Sequence, residues 1–504
     1  MKKKTLKDKI DSYFDITKRK STIKIEVLAG ITTFLAMAYI LVVNPNNILW
    51  NGTNDPRFSS VFIATAIGAF LGTILMAILA KMPLAQAPGM GINAIVGSII
   101  GGAMGFSYSY GNAMILIFLS GIIFLLLSFI PCGHNKKTNK LITIREKIFY
   151  SMPKAIINSI SVGIGLFITF IGLQNAHIIT ANKYTLVELL KFNDPSLWQY
   201  GGEARIALVT IFGLIVIGIL THYKVKGSII IGIFSGTILA TFLGVTNLNI
   251  LTGNTPGISW NFITNIRNFF DISKENSVFL TMFKDGFIFP NGSLFTSFML
   301  VISLSMIDMF DTMGTVIGCC QNADLLDEEK KPLNYGKMMY SDSLATILGA
   351  LLGTSTISTF VESSTGVSAG GKTGLTAVTT AILFLLAIFF LPLFSFIPSS
   401  AAASALIYVG ILLMKNVKNI DFKNIKNAIP SFMTIIIMLL SYSITDGIGI
   451  GIIFFVILDV IIYLIDITNY KLKKSKNKPH LESTIITIIV ALLFLIYFLV
   501  PTII

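Results

Sequence analysis

Four carboxylates interrupt strongly apolar sequence and are the residues best suited to chemistry. Asp308 and Asp311 lie in SLSMIDMFDTMGTVIG, where a helix would place both on one face, with Thr315 one turn further on. Asp342 opens the next apolar segment, and Glu362 lies in FVESSTGVSAGGKTG. Carboxylates accept hydrogen bonds and protons, and their burial in apolar surroundings is costly, so each needs a structural or functional reason.

The four acids separate into two pairs. We interpret Asp308 and Asp342 first as structural groups that cap helices or pair with backbone and hydroxyl groups. Asp311 and Glu362 we interpret as functional, since Glu362 lies where glycines and hydroxyl residues interrupt the apolar pattern.

The glycine-rich segment also contains a match to the phosphate-loop pattern, GVSAGGKT at residues 366–373. A phosphate loop requires a preceding buried strand and a soluble domain with a magnesium-binding acid. Here both neighbouring segments are apolar and long enough for membrane spans, so we reject nucleotide binding. Gly366, Gly370 and Gly371 would instead weaken a helix and allow close approach of the backbone.

The composition places these residues in a membrane. Of 504 residues, 54% are hydrophobic, and the mean hydropathy is +0.78. Apolar runs long enough to cross about 30 Å of hydrocarbon recur along the chain, and the first is too long for a signal peptide. The three cysteines and four histidines show no ligand spacing, so we expect no metal, cofactor or disulfide. These features predict an all-α polytopic membrane protein.

Basic residues alternate between loops, which argues against nucleic-acid binding despite a net charge of +13. Loops rich in lysine and arginine face the cytoplasm in most membrane proteins. The pattern predicts a multi-pass protein of the plasma membrane with a cytoplasmic N-terminus. The basic loops are at residues 1–24, 134–154, 222–226, 330–337, 415–426 and 471–478.

An internal repeat suggests two halves. ATAIGAFLGT begins at Ala64 and ATILGALLGT at Ala345, and each precedes a glycine-rich polar segment. Seven crossings before the seam would invert the second half, an arrangement typical of transporters with a midplane site between two broken helices. The N-termini of those helices would point backbone N–H groups at one central position. The predicted divisions are a basic N-terminus (1–24), two repeats (25–285 and 286–470), and a basic loop with an apolar C-terminal helix (471–504).

Five segments together resemble one transporter family. They are EVLAGITTFLAMAYILVVNP, QAPGMGINA, GIGLFITFIGLQNA, DMFDTMGTVIG and TSTISTFVESSTGVSAGGKTGLTAV. The chain is similar over nearly its whole length to AzgA-like hypoxanthine/guanine (purine) permeases of the nucleobase–ascorbate (nucleobase–cation symporter) transporters. The resemblance implies fourteen transmembrane segments in two inverted sevens, a core domain moving against a gate domain, and proton-coupled purine uptake without an enzymatic step.

The resemblance also implies residue roles. Glu362, Asp311 and Asn93 match the family's polar site positions, and with Gly366 and Thr315 they form the expected substrate-binding set. Asp311, Glu362 and Asp308 are the candidates for proton coupling, and Asp342 would support the core. A purine presents ring N–H donors that a carboxylate accepts through strong hydrogen bonds.

Several alternatives stay open at this stage. Ser364 and Thr365 replace alanines that the family usually carries, which leaves the preferred purine undecided. The coupling ion is H⁺ or Na⁺, the substrate could be uracil or xanthine, and an anion transporter of the same fold is a further alternative. Residues 483–504 either cross the membrane again or lie against the bundle. A homodimer through the gate domain is also consistent with the resemblance.

Overall fold

A computed structural model describes residues 5–49, 55–102, 106–134, 141–145, 147, 153–182, 184–225, 227–246, 248–250, 260–322, 325–326, 332–441, 444–472 and 480–499. The α-helices in this part of the chain are α1 (Leu6–Phe14), α2 (Ile23–Met37), α3 (Ile40–Ile48), α4 (Phe58–Leu75), α5 (Met90–Ile100), α6 (Tyr110–Phe129), α7 (Lys154–Asn175), α8 (Glu203–His222), α9 (Ser228–Leu243), α10 (Phe262–Phe270), α11 (Leu294–Asn322), α12 (Tyr335–Leu352), α13 (Ser363–Ser368), α14 (Gly374–Leu386), α15 (Leu391–Ser395), α16 (Ser399–Met414), α17 (Ile425–Leu440), α18 (Ile444–Lys471) and α19 (Ile485–Leu499). Six strands form three antiparallel ribbons: β1 (Gln86–Pro88) with β6 (Ile357–Thr359), β2 (Pro131–His134) with β3 (Leu141–Thr143), and β4 (Ile179–Asn182) with β5 (Leu186–Leu189).

The helices confirm the polytopic membrane architecture. Nine helical stretches in the described residues are long and apolar enough to cross a membrane, and four shorter apolar helices accompany them. One of the short helices is α5, which follows β1, and α13 follows β6 in the same way. The two broken segments expected from the glycine-rich motifs are therefore each a short strand that leads into a short helix.

The helices pack into two groups that take members from both halves of the chain. In the first, α2, α4 and α14 pack together, and α12 packs on α4 and α6. In the second, α7 packs on α16 and α17, while α8 packs on α9 and α16. We call the first group the core domain and the second the gate domain.

Pairing of β1 with β6 joins the halves at the centre of the core domain. The register sets Gln86 opposite Thr359 and Pro88 opposite Ile357, and every residue of both strands is buried. An antiparallel pair has a local twofold axis, so Gln86 is equivalent to Ile357. Counted from the repeated sequences that begin at Ala64 and Ala345, β1 starts about ten residues later than β6 does. The connection before β1 is longer than the connection before β6.

A buried ion pair holds three elements around the ribbon. Arg145 donates to Asp342 Oδ2 at 2.8 Å, and both side chains are fully buried. Asp342 Oδ1 accepts from the hydroxyl of Thr312 at 2.7 Å and, at 3.4 Å, from the amide of Gln86 on β1. Arg145 belongs to the basic loop at residues 134–154, but it is buried. Its guanidinium is inside the protein because Asp342 needs a cation.

The phosphate-loop-like segment binds a carboxylate of the same chain. Glu26 on α2 accepts hydrogen bonds from the backbone N–H groups of Lys372 and Thr373 at 3.1 Å each, and from the Thr376 hydroxyl at 2.6 Å. Free N–H groups and a positive dipole at a helix N-terminus favour an anion. The buried Glu26 carboxylate supplies that anion at the start of α14, so the segment is structural in this protein.

The C-terminal apolar segment forms α19, which packs along α18. At its N-terminal end, Ser483 donates through its backbone N–H and its hydroxyl to Asp459, both at 2.6 Å. Lys426 pairs with the other oxygen of Asp459 at 2.7 Å. Asp459, an isolated acid in an apolar run, therefore fastens α19 to the gate domain.

The Arg145–Asp342 pair predicts a large loss of stability on Arg145→Met. Removing one partner leaves a buried charge without compensation, which costs about 3–5 kcal/mol. The thermal unfolding temperature of the detergent-solubilised variant should fall well below that of the parent. Lys147→Met is the matched control, because Lys147 is exposed on the same segment. Equal unfolding temperatures for both variants would show that the pair does not support the core domain.

Candidate functional site

A central cavity lies where the ribbon meets the gate domain, with an empty volume of about 480 Å³. The start of α5, the β6–α13 junction and α11 supply the core side, and α7 and α16 supply the gate side. Its polar lining residues are Asp311, Thr315, Thr359 and Glu362, and its apolar ones include Met90, Ile164, Ile168, Ile307, Phe360, Val409 and Leu413.

Glu362 enters this cavity from the N-terminal boundary of α13. Its side chain is only 3% exposed, and Oε1 accepts a hydrogen bond from the Tyr39 hydroxyl at 2.6 Å. Tyr39 lies at the interruption between α2 and α3. The second oxygen, Oε2, has no hydrogen-bond partner within the described residues. A buried carboxylate oxygen without a donor is costly, so it is a ready acceptor for a ligand N–H group or a proton.

Asp311 reaches the same cavity from α11. Its Oδ2 accepts from the hydroxyl of Ser358 on β6 at 3.3 Å. Thr315 lies one turn further along α11 and also lines the cavity. Helical spacing therefore brings Asp311 and Thr315 to one wall, while the ribbon brings Glu362 to the same space from the other half of the chain.

The first turn of α5 faces the same space. Met90, Gly91 and Ile92 line the cavity, and no side chain caps this helix. The first N–H groups of a helix lack intrahelical partners, so the start of α5 offers backbone donors and a partial positive potential. The cavity thus combines two carboxylates with backbone donors inside apolar walls.

Asp308 and Asp342 lie behind the cavity wall. Asp308 is fully buried, its Oδ2 accepts from the Thr346 hydroxyl at 3.0 Å, and its Oδ1 lacks a partner among the described residues. Asp342 is held by the ion pair with Arg145. Neither acid is among the residues that line the central cavity.

Two residues of the expected binding set occupy other positions. The Asn93 side chain is buried away from the lining, where its oxygen accepts from the Ser355 hydroxyl and its amide lies 3.5 Å from the Pro88 carbonyl. Gly366 packs against α2, because a side chain there would meet the backbone oxygen of Ala29 and the hydroxyl of Thr33. In this conformation both residues shape the broken segments without facing the cavity.

A second cavity, which we call the vestibule, continues from the first and has an empty volume of about 730 Å³. Both cavities share Ile164, Asp311, Thr315, Val361 and Leu413. The vestibule extends to the end of the protein that carries Lys154 and Lys415. A third cavity, of about 450 Å³, lies on the opposite side and is lined by Asn46, Asn47, Ala94, Gly97, Ser98, Ile171 and Asn175.

Sequence reasoning missed Tyr39, Ser358 and Arg145. They contact Glu362, Asp311 and Asp342, respectively. Tyr39 had one signal, a lone tyrosine in the apolar run AMAYILVV shortly before Asn44 and Pro45. Ser358 lies in a motif with many hydroxyl residues, and Arg145 lies in a segment with many basic residues. For these two, only the three-dimensional contacts distinguish the residue from its neighbours.

Comparison with known proteins identifies relatives of similar length. The chain is 34% identical over 440 residues to the guanine/hypoxanthine permease PbuO of Bacillus subtilis (strain 168), covering 87% of this chain and 92% of the relative. It is 34% identical over 451 residues to the adenine permease AdeP of Escherichia coli (strain K12), covering 90% of each protein.

Comparisons of the fold and the family agree with these relatives. The transmembrane domain of the cyanobacterial bicarbonate transporter BicA superposes with a TM-score of 0.56 at 14% identity, covering 85% of this chain and 97% of that domain, and so shares the fold alone. The Xan_ur_permease model, described as "Permease family", matches residues 24–450. The chain therefore belongs to this permease family, and it is a membrane transporter rather than an enzyme.

Proposed function

We propose that this protein imports purine nucleobases by proton symport, with hypoxanthine, guanine and adenine as the candidate substrates. The observation that carries the proposal is the central cavity, in which Glu362 and Asp311 face a largely apolar space and no described lining residue is basic. A planar purine would place its ring between the apolar walls and direct N–H groups to the two carboxylates. The names of PbuO and AdeP support the purine class.

The lining of the cavities favours a neutral substrate over an anion. None of the described residues that line the central cavity, the vestibule or the third cavity is Lys, Arg or His. An anion would meet two acids there without a side-chain cation to offset their charge. The likeness to BicA therefore supports a common fold but not bicarbonate as the substrate. Uracil and xanthine carry ring N–H groups as well, and the uptake assay below tests them directly.

Proton coupling follows from the cost of an unpaired buried carboxylate. Glu362 Oε2 has no hydrogen-bond donor among the described residues, so we infer that a proton taken up with the base neutralises one of the site acids. The membrane potential contributes about 2.3 kcal/mol per charge per 100 mV, enough to concentrate a neutral base. Asp311 is the favoured carrier because it lines both the central cavity and the vestibule. Asp308, one turn away, and Glu362 are the alternatives.

Orientation follows from the basic loops. We propose that the N-terminus and the Lys154–Lys415 end lie in the cytoplasm of a plasma-membrane protein, so that the vestibule opens inward. The gate domain would remain fixed, and its lipid-facing surface would be available for a homodimer. The core domain would then carry the base between the third cavity and the vestibule.

Uptake of radiolabelled hypoxanthine tests the function in cells that lack their own purine uptake. Expression of the protein should produce accumulation that a protonophore abolishes and that replacement of sodium by potassium leaves unchanged. Competition by adenine, guanine, xanthine and uracil ranks the substrates. Uptake that is unchanged by the protonophore would exclude proton symport. Uptake of uracil but not of purines would exclude purines as the substrates.

Glu362→Gln should weaken hypoxanthine binding by about 10–100-fold. The substitution keeps the size but replaces one acceptor oxygen with a donor, and an unsatisfied buried group costs about 1–3 kcal/mol. Binding to purified protein measures the effect. Ser368→Ala is the matched control, because this exposed side chain lies on the same helix and should change binding by no more than about twofold. Wild-type affinity in Glu362→Gln would exclude a substrate contact at this residue.

Asp311→Asn should separate binding from coupling. The amide cannot carry the proton, so the variant should exchange hypoxanthine across vesicle membranes but should not accumulate it when a pH gradient is imposed. Both measurements use the same reconstituted vesicles, and wild-type protein serves as the reference. If Asp311→Asn still accumulates hypoxanthine, the coupling proton is carried by Asp308 or Glu362. Asp308→Asn in the same assay would distinguish these two residues.

A further inference from the structure

The vestibule is lined by polar and apolar side chains from both domains, as expected for a binding site rather than for a simple exit path. On the gate side it is lined by Asn158 and Ser161 of α7 and by Asn416, which lies two residues beyond the end of α16. On the core side it is lined by Ser364 of α13, together with Cys319 at the end of the Asp311–Thr315 face of α11. Apolar side chains separate these polar groups, namely Ile157, Ile164, Val361 and Leu413.

The polar groups of the vestibule retain unused hydrogen-bonding capacity. The Asn158 amide donates to the backbone oxygen of Asn419 at 3.2 Å, which leaves the Asn158 side-chain oxygen as an acceptor. Asn416 is only partly buried, as are Ser161 and Ser364. A carboxamide oxygen, a carboxamide NH₂ group and two hydroxyls can therefore meet a ligand there.

This set of groups matches the edge of a nucleobase. A carboxamide presents a donor and an acceptor side by side, the arrangement with which Asn and Gln recognise purine edges. The flanking isoleucine, valine and leucine side chains can cover the ring faces. The third cavity, on the opposite approach, is again lined by carboxamides, from Asn46, Asn47 and Asn175. Neutral donor–acceptor groups therefore line both routes to the central carboxylates.

We propose that the vestibule is a second nucleobase-binding site, in which Asn158 and Asn416 hold a purine after it leaves Asp311 and Glu362. This inference rests on the proposed purine transport. The site requires both domains, since the asparagines belong to the gate domain and Ser364 to the core domain. Movement of the core domain would separate the two walls and release the base. The site binds more weakly than the central cavity, because a neutral carboxamide accepts a ring N–H group less strongly than the carboxylates of Asp311 and Glu362 do.

The test monitors a reporter cysteine inside the vestibule. Ser161→Cys is introduced into protein whose Cys132, Cys319 and Cys320 have been replaced, provided that this protein still takes up hypoxanthine. Alkylation of the reporter by N-ethylmaleimide is timed in membranes with increasing hypoxanthine. The measurement is repeated with Glu362→Gln, with Asn158→Ala, with Asn416→Ala, and with Asn419→Ala as the matched control. Asn419 is exposed, and its backbone oxygen is kept in the control.

The expected result is saturable protection of the reporter that persists in Glu362→Gln and in Asn419→Ala but is lost in Asn158→Ala and in Asn416→Ala. The two asparagine variants test the site independently, so that one misfolded protein does not decide the outcome. Loss of protection in Glu362→Gln would mean that the reporter senses only the central cavity, which would overturn the second site. The second site would also be overturned if uptake were normal but hypoxanthine protected the reporter in none of the proteins. That result would leave purine transport intact. Absence of both uptake and protection would instead refute the proposed function.

Discussion

The pairing of two short strands inside the core domain is the constraint on which the rest of the structure depends. Backbone groups at membrane depth must find partners within the protein, because hydrocarbon offers none. The β1–β6 ribbon supplies those partners for the two broken segments, one from each half of the chain. Thr73 adds a hydroxyl bond to the Gln86 carbonyl at 2.9 Å, and Thr346 adds one to the Ile357 carbonyl at 3.3 Å. With the ribbon fixed, α5 and α13 begin beside the same space.

The buried acids then divide according to whether the protein supplies a partner. Asp342 has a guanidinium and Glu26 has a helix N-terminus, so both carboxylates stabilise the fold. Glu362 and Asp311 receive one hydroxyl bond each, from Tyr39 and Ser358, and they keep acceptor capacity that faces a cavity. The partners that the protein provides for each carboxylate, rather than the residue type, separate the supporting acids from the candidate substrate ligands. Asp308 lies between the two classes, because one of its oxygens is bonded and the other is not.

The two domains contribute different kinds of side chain to the cavities. The gate domain contributes mainly apolar side chains to the central cavity, such as Ile164, Ile168 and Val409, and these make no specific bonds that movement would have to break. Its polar contributions lie further out, at Asn158, Ser161 and Asn416. The fastening of α19 through Asp459 and Lys426 adds a helix to the gate domain and leaves the cavities unobstructed.

The sequence by itself determined the membrane class, the two broken segments and the candidate site acids. Apolar length, glycine-rich interruptions and isolated carboxylates are local properties, so Glu362, Asp311 and Thr315 could be identified without coordinates. Only the tertiary structure decided which acids are satisfied, because Arg145 and Tyr39 reach Asp342 and Glu362 from segments nearly 200 and more than 300 residues away. It also decided that Asn93 faces the connection before β6 and that Gly366 faces α2, since a helical position predicts a face but not what packs against it. Contacts between distant segments depend on how the two halves fold together, and no local pattern encodes that arrangement.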